Sequence, residues 1–460
     1  MTSILLAGAL ALMVPEAAPL PDPPPAERGE GGSRGAPVLT LADAERNARE
    51  HQPQLAQARF TADAASARAD EARAPLLPQV TGTASYQRTT GNFVPRPGVI
   101  PSTQTTTTTT TPVQTRSSWT TFNYFNVGVT ASQLLYDFGQ TSGRWRAAQA
   151  SAESQRGSER ATASQTLLGV RSAFFLAREQ KALFEVARDT LKNQDLHLAQ
   201  VEAFVKMGTR PAVDLFQARA DRANARVQLI NAENAYASSR AQLNQAMGVV
   251  GSTDYEVADE VLPPVAGEEG GLEPLVSEAE RSRPDLTALE QQARAQELTV
   301  SAAQGGYGPA LGISTALTDA GTALDSTVWN WNATATLTWN IFQGGLTRAT
   351  VSEARSTLSA ARAQAEVLRQ QIRVDVDQAR LGVRAAQGSL GAADEVVVNA
   401  RERLRLAERR YQEGVGTLVE LGDAQVALTT AAAQRAQADY NLSTSRAQLV
   451  RALGREVPLE

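Results

Sequence analysis

Few residues in this chain could carry out covalent chemistry. Gly31-Gly-Ser33-Arg-Gly35 fits the G-x-S-x-G nucleophile elbow, which needs a strand before it, a helix after it and a histidine partner. Here it sits in a stretch dense in proline and glycine. The two histidines, His51 and His197, fall in helical stretches with unrelated surroundings, His51 on the small-residue seam of its helix. Cysteine is absent, which excludes thiol nucleophiles, disulfides, thiolate metal sites and a cysteine lipid anchor. The chain does not read as an enzyme, and no cofactor or metal is expected. A net charge of −5 without a basic cluster in the sequence argues against a nucleic-acid partner.

The informative features are architectural. Residues 239–248 read SRAQLNQAMG and residues 445–454 read SRAQLVRALG, an offset of 206 that also pairs Gly208 with Gly414, Asp214 with Glu420, and YDFG (136–139) with FQGG (342–345). Upstream the offset becomes 231, pairing Pro53 with Pro284 and Pro78 with Pro309, so repeat one carries about 25 extra residues. The threonine-rich stretch from Phe93 to Ser118 is the candidate insert, because lengthening a solvated loop costs little closure entropy.

The expected organisation follows from this duplication. Residues 1–18, with an apolar run from Ile4 to Val14, suit a signal peptide, and 19–37 a Pro/Gly-rich linker. Repeat one spans 38–248 (helix, β-hairpin 79–135, long helix 141–207, helix 212–247), then a connector 249–271. Repeat two spans 272–454 (helix, β-hairpin 310–342, long helix 347–413, helix 417–453), followed by a tail 455–460.

From Thr141 to Met207 there is no proline, which predicts a helix of roughly 100 Å. Its counterpart shows Val376, Val383, Leu390, Val397, Leu404 and Tyr411 every seven residues, with Ala379, Ala386, Ala393, Ala400 and Ala407 between. A large/small seam of period 3.5 means knobs-into-holes packing, in a helical tunnel or in a plain two-stranded coiled coil. The segments 40–74 and 272–304 read as helices of half that length, able to stack end to end with 212–247 and 417–453 beside the long ones. Gly208 and Gly414 read as helix C-caps, Thr209 and Thr417 as caps of the next helix, and Thr417-Leu-Val-Glu420 as a capping box.

Between these helices the period becomes two. Residues 327–340 place Trp329, Trp331, Leu337 and Trp339 on one face and Asn330, Asn332, Thr334, Thr336 and Thr338 on the other, and Phe125, Val127, Val129 and Ala131 share a face in repeat one. That pattern marks a transmembrane β-strand, or else a surface hairpin on a soluble helical rod. Four strands cannot close a barrel and open edges cannot stand in lipid, so lipid-embedded strands require protomers to pool them. Two protomers give a side-chain-filled eight-strand barrel; a conducting pore needs more.

Over residues 38–454 the chain resembles the outer membrane efflux protein family, the TolC-like channels. The resemblance rests on the duplicated halves, AP-x-x-P at 74–78 leading into a strand, the YDFG and FQGG turns, the glycine tips, and the stretches FVKMGTRPAVDLFQARA (204–220) and RRYQEGVGTLVELGDAQVAL (409–428). It implies an α+β membrane protein, internally duplicated, with a long α-helical coiled-coil barrel plus a trimeric transmembrane β-barrel of four strands per protomer. It further implies an outer membrane location with a periplasmic helical tunnel and a belt partly formed by 249–271. Expected partners are two further copies, outer membrane lipid, a periplasmic adaptor and an inner membrane transporter, the exported cargo being drugs, metals or proteins. By the same resemblance Tyr411, Glu420, Asp423 and Asp214 are expected at the periplasmic gate. Gly208, Thr209, Gly414, Val415 and Gly416 are expected to meet the adaptor, and Trp329, Trp331, Trp339 and Phe125 the membrane. Where related channels can carry an arginine two residues after the tip glycine, this chain has Gly416. A carboxylate ring at a narrow mouth attracts cations, yet acids near helix N-termini are favoured anyway. The rival reading, a periplasmic coiled-coil adaptor or structural protein of an efflux complex, predicts a single hairpin flanked by compact β-domains.

Overall fold

The structure, a computed structural model, describes residues 37–90, 119 and 121–455. The expected signal peptide, all of the linker but Pro37, the threonine-rich insert and Gly31-Gly-Ser33-Arg-Gly35 lie outside the described residues. Repeat one contains β1 (Val38–Leu39), α1 (Leu41–His51), α2 (Pro53–Arg73), β2 (Gln79–Thr90), β3 (Thr121–Tyr136), α3 (Gln140–Lys206) and α4 (Ala212–Met247). The connector holds β4 (Glu256–Val257); repeat two holds α5 (Leu272–Ser282), α6 (Pro284–Gly305), β5 (Ala310–Gly321), β6 (Val328–Thr338), α7 (Leu346–Gln412) and α8 (Leu418–Ala452).

α3 and α7 are each 67 residues long, so each spans about 100 Å. Each starts at a left-handed pair, Phe138 (φ 54°) with Gly139 (φ 82°) and Gly344 (φ 59°) with Gly345 (φ 87°), so the duplication is visible in the backbone. The seam packs as its spacing requires: Val376, Ala379, Val383, Ala386, Ala393, Val397, Ala400, Leu404, Ala407 and Tyr411 are all buried. Packing runs α4 to α3, α3 to α8 and α8 to α7, with α2 and α6 taking over beside α3 nearer the strands. This four-column wall is more than a two-stranded coiled coil.

The half-length helices are not continuous. Each breaks into two pieces, at Gln52 (ψ 116°) and at Arg283 (ψ 121°), because proline crowds the preceding residue out of the α region and then serves as the first residue of the next helix. His51 thereby ends α1, exposed, off any seam. Each bend receives the end of a neighbouring helix. Gly248 (φ 73°), after α4, lies so close to the first bend that a Cβ would stand 2.6 Å from the His51 carbonyl oxygen. Gly454 (φ 68°), after α8, would place one 2.8 Å from the Ser282 carbonyl carbon. The repeated SRAQL phrase is therefore the run-up to a glycine that docks a helix end on a pre-proline bend.

The four long strands form one antiparallel sheet in the order β2-β3-β5-β6. Its register pairs Val129 with Leu317 and Leu317 with Trp331, so the apolar face read from the sequence is continuous across three strands. A bulge between Leu134 and Tyr136 brings Tyr136 opposite Leu311, re-aiming this side chain onto the apolar face. β2 and β6 carry no strand partner on their outer edges among the described residues.

A belt crosses the middle of the wall. β1 pairs in parallel with β4, Arg178 on α3 bonds Asp259 (2.6 Å), and Arg446 on α8 bonds Glu268 (3.0 Å). Beneath it, Glu45 on α1 and Arg171 on α3 form an ion pair at 2.6 Å with side chains 3% and 5% exposed.

Candidate functional site

The end of the wall opposite the sheet carries two tips. At the first, Gly208 (φ 73°) turns the chain, and the Thr209 N–H returns to the Phe204 carbonyl (3.1 Å). At the second, Gly414 (φ 80°) does the same, and the Val415 N–H returns to Arg410 (3.0 Å). Both expected C-caps are present, a left-handed residue letting the chain turn back and satisfy the last helical carbonyls. The Thr209 hydroxyl also donates to Phe204 (3.0 Å), closing the turn behind it, and the N-cap of α4 is Pro211, which supplies no side-chain cap. The expected Thr209 cap is thus absent. Thr417 does cap α8, its oxygen accepting from the Glu420 N–H at 3.1 Å. Glu420 does not reach back as a capping box requires; it pairs with Arg410 at 3.3 Å, because a neighbouring guanidinium offers a charge-assisted partner.

Tyr411 is 1% exposed, wedged between the two tips. His197 meets its ring edge-on at 5.3 Å between centroids, and the Arg210 guanidinium lies over it at 4.7 Å. Arg210 also donates to the Tyr411 and Gly416 carbonyls (3.4 and 3.3 Å), so one cation from the first tip holds the second. An arginine, Arg210, stands two residues after the other tip glycine, where the second tip has Gly416. At 416 a Cβ would meet the Tyr411 nitrogen at 2.9 Å, so the backbone leaves no room for a side chain. Sequence reasoning weighs His197 only as a catalytic partner and does not single out Arg210; the 206-residue offset that aligns Arg210 with Gly416 was the available signal. Replacing Arg210 with alanine is expected to weaken the junction by about 1 kcal/mol, seen as roughly fivefold faster hydrogen exchange in both tip turns.

Burial holds the His197 imidazole below its ordinary pKa, a shift that Asp221 opposes, and buries the Tyr411 hydroxyl so that its pKa rises. A histidine with a depressed folded-state pKa binds fewer protons folded than unfolded, so its contribution is intact above the usual histidine pKa and declines as pH falls toward the lowered value. Melting temperature should therefore fall between pH 7 and pH 5 by more in the wild type than in His197→Gln.

Of the four expected gate residues, Asp214 and Asp423 share a groove of about 680 Å³ between α4 and α8, together with Asp221. Glu420 lies outside that groove with Arg410, and Tyr411 is in the protomer's interior. Around the tips Met207, Val213, Val415 and Val419 are all exposed.

At the other end the aromatic residues fall into two rows. Trp329 and Trp331 are exposed on the apolar face, and Phe125 forms a tilted ring pair with Tyr86 across β2 and β3 at 5.0 Å. Trp339 stands just past β6, its indole nitrogen donating to the Tyr307 carbonyl (3.1 Å), and at the same end of the sheet Tyr136 and Phe138 form a tilted ring pair at 4.9 Å. Ten residues of strand separate Trp329 from Trp339, which at the strand tilt usual in membrane barrels is a height of about 25 Å, that of their apolar band.

Three kinds of comparison bear on these features. The family profile described as outer membrane efflux protein matches residues 45–249 and 275–455. The probable efflux pump outer membrane protein SepC of Pseudomonas putida is 26% identical over 313 residues, covering 66% of this chain and 63% of that protein. The chain thus aligns with somewhat less than two thirds of that relative's length. In fold it is similar to CusC (TM-score 0.76, 18% identity, 94% of this chain and 96% of the other) and to VceC from Vibrio cholerae (TM-score 0.74, 18% identity, 90% and 96%). With the profile covering most of both repeats, the chain belongs to the outer membrane efflux protein family.

Proposed function

We propose that the protein is the outer membrane channel of an efflux or secretion system. Three copies pool their sheets into a twelve-strand barrel in the outer membrane and their helices into a tunnel across the periplasm. The observation that carries this is the four-stranded sheet: its outer face is apolar between two aromatic rows, and among the described residues both its edges are unpaired, which hydrocarbon does not permit. Along the helices, α7 leaves Val367, Val374 and Leu381 exposed at seven-residue spacing, and α2 and α4 leave Phe60, Phe216, Val227 and Ile230 exposed. These unpartnered apolar rows suit a neighbouring protomer. Transport is passive, without catalysis or cofactor, and an inner membrane transporter supplies energy and choice of cargo. Small molecules are the favoured cargo, since another relative, TtgF of Pseudomonas putida, is named for a toluene efflux pump. The exposed apolar side chains around Gly208 and Gly414 suit docking of a periplasmic adaptor. The rival adaptor reading fits less well, because two helical hairpins and a shared membrane-type sheet replace the expected single hairpin between β-domains.

The reading is tested by reconstituting the purified protein in planar bilayers and determining its mass in detergent. A trimer that conducts is expected; a monomer without conductance would overturn it. Asp214 and Asp423, repeated threefold around the mouth, would favour cations. Asp214→Asn with Asp423→Asn is expected to shift the reversal potential in a salt gradient toward zero. An unchanged potential would remove these residues from the constriction.

A further inference from the structure

The two joints where a helix end docks on a pre-proline bend are related by the duplication, and each borders a groove against α3. The groove at the first joint holds about 600 Å³ and is lined by uncharged residues, among them Gln52, Gln54, Gln165 and Gln245. The groove at the second joint holds about 430 Å³ and is lined by Arg49, Arg160, Arg281 and Arg451, with Ser164 and Thr287. The offset of 206 places Arg451 where the first joint has Gln245. Two further arginines border the second groove, but both are neutralised: Arg171 by Glu45 and Arg455 by Glu278, each at 2.6 Å.

The other four have no carboxylate partner within ion-pair distance among the described residues. Two nearby acids are already engaged by other arginines. Glu278, near Arg281, is bonded to Arg455, and Asp285, near Arg451, is bonded to Arg283 at 2.6 Å. No acidic side chain lines the groove itself. Four like charges brought together from α1, α3, α5 and α8 repel one another unless an anion sits among them. Solubility alone would not distinguish one joint from its duplicate. The cluster is invisible in the sequence because its members come from four segments.

The groove's position follows from α3. Gly157, Ser164, Arg171 and Arg178 recur every seven residues and so share a face, and Arg171 and Arg178 bind α1 and the belt. The groove therefore opens on the belt side of the wall, on the strand side of the belt.

We infer that this groove is a binding site for a multiply charged anion of phosphate or carboxylate type, held by guanidinium forks whose donor geometry matches both groups. The inference does not depend on the channel reading. The test is calorimetric titration of the full chain in detergent, at fixed ionic strength, with inorganic tripolyphosphate and with tricarballylate. Saturable binding of either is expected, the tighter of the two identifying the source as a phosphate ester or a carboxylate polymer. Arg49→Gln with Arg160→Gln, two exposed arginines without bonds in the described structure, should weaken it at least tenfold. Arg226→Gln, exposed on α4 far from the groove in sequence, should leave it unchanged. Absence of saturable binding, or equal weakening by Arg226→Gln, would overturn the proposal. So would a tenfold gain in affinity on removing residues 456–460, since the groove would then belong to Glu456 and Glu460 of this chain.

Discussion

Alanine in place of Gly248 is expected to lower the stability of the folded protein by about 3–4 kcal/mol, whereas alanine in place of Gly208 should cost about 1–2 kcal/mol. Both glycines have φ near 73°, a conformation that disfavours any Cβ. They differ in surroundings. A Cβ on Gly208 would have no neighbour within 4 Å, but on Gly248 it would stand 2.6 Å from both the His51 oxygen and the Gln52 Cα. Those are backbone atoms, fixed by the pre-proline bend, so α4 would have to lift off α1 and α2. Thermal melting in detergent of the two variants side by side measures the difference, and equal losses would mean that the joint is looser than its geometry.

The second large effect concerns the ion pair beneath the belt. Arg171→Leu is expected to cost about 3–5 kcal/mol, because it leaves the Glu45 carboxylate buried without its cation. Among the described residues Glu45 Oε2 already has no hydrogen-bond partner, so none stands ready to replace the guanidinium. Changing both residues, Arg171→Met with Glu45→Leu, removes the charges together and should cost much less than either single change. A double variant as unstable as the sum of the singles would show that the pair acts through packing rather than charge.

Much of the fold was legible in the sequence, for reasons of period. The seam at Val376 to Tyr411, the alternation at Trp329 to Trp339 and the tip glycines each impose a local pattern that one chain displays by itself. The breaks at Pro53 and Pro284 were equally written, but a helical composition on both sides masked them. The site was less legible because its contacts join distant segments. Arg210 reaches Tyr411 across 201 residues, and the bulge that turns Tyr136 outward depends on how β3 meets β5. Thr209 shows a different failure: a hydroxyl after a glycine tip can serve the helix behind it as well as the one ahead, and sequence does not say which.

The pre-proline joints have a mechanical consequence. In each half of the wall an unbroken 67-residue helix lies beside a column made of separate pieces that meet end to end. Such a wall behaves as a laminated beam. The continuous lamina is stiff along its axis, while its segmented neighbour holds together only through contacts at a butt joint and can slip there without rupturing a helix. Load applied at the tips should therefore be relieved by shear and twist between laminae at the level of the belt, leaving the membrane end still.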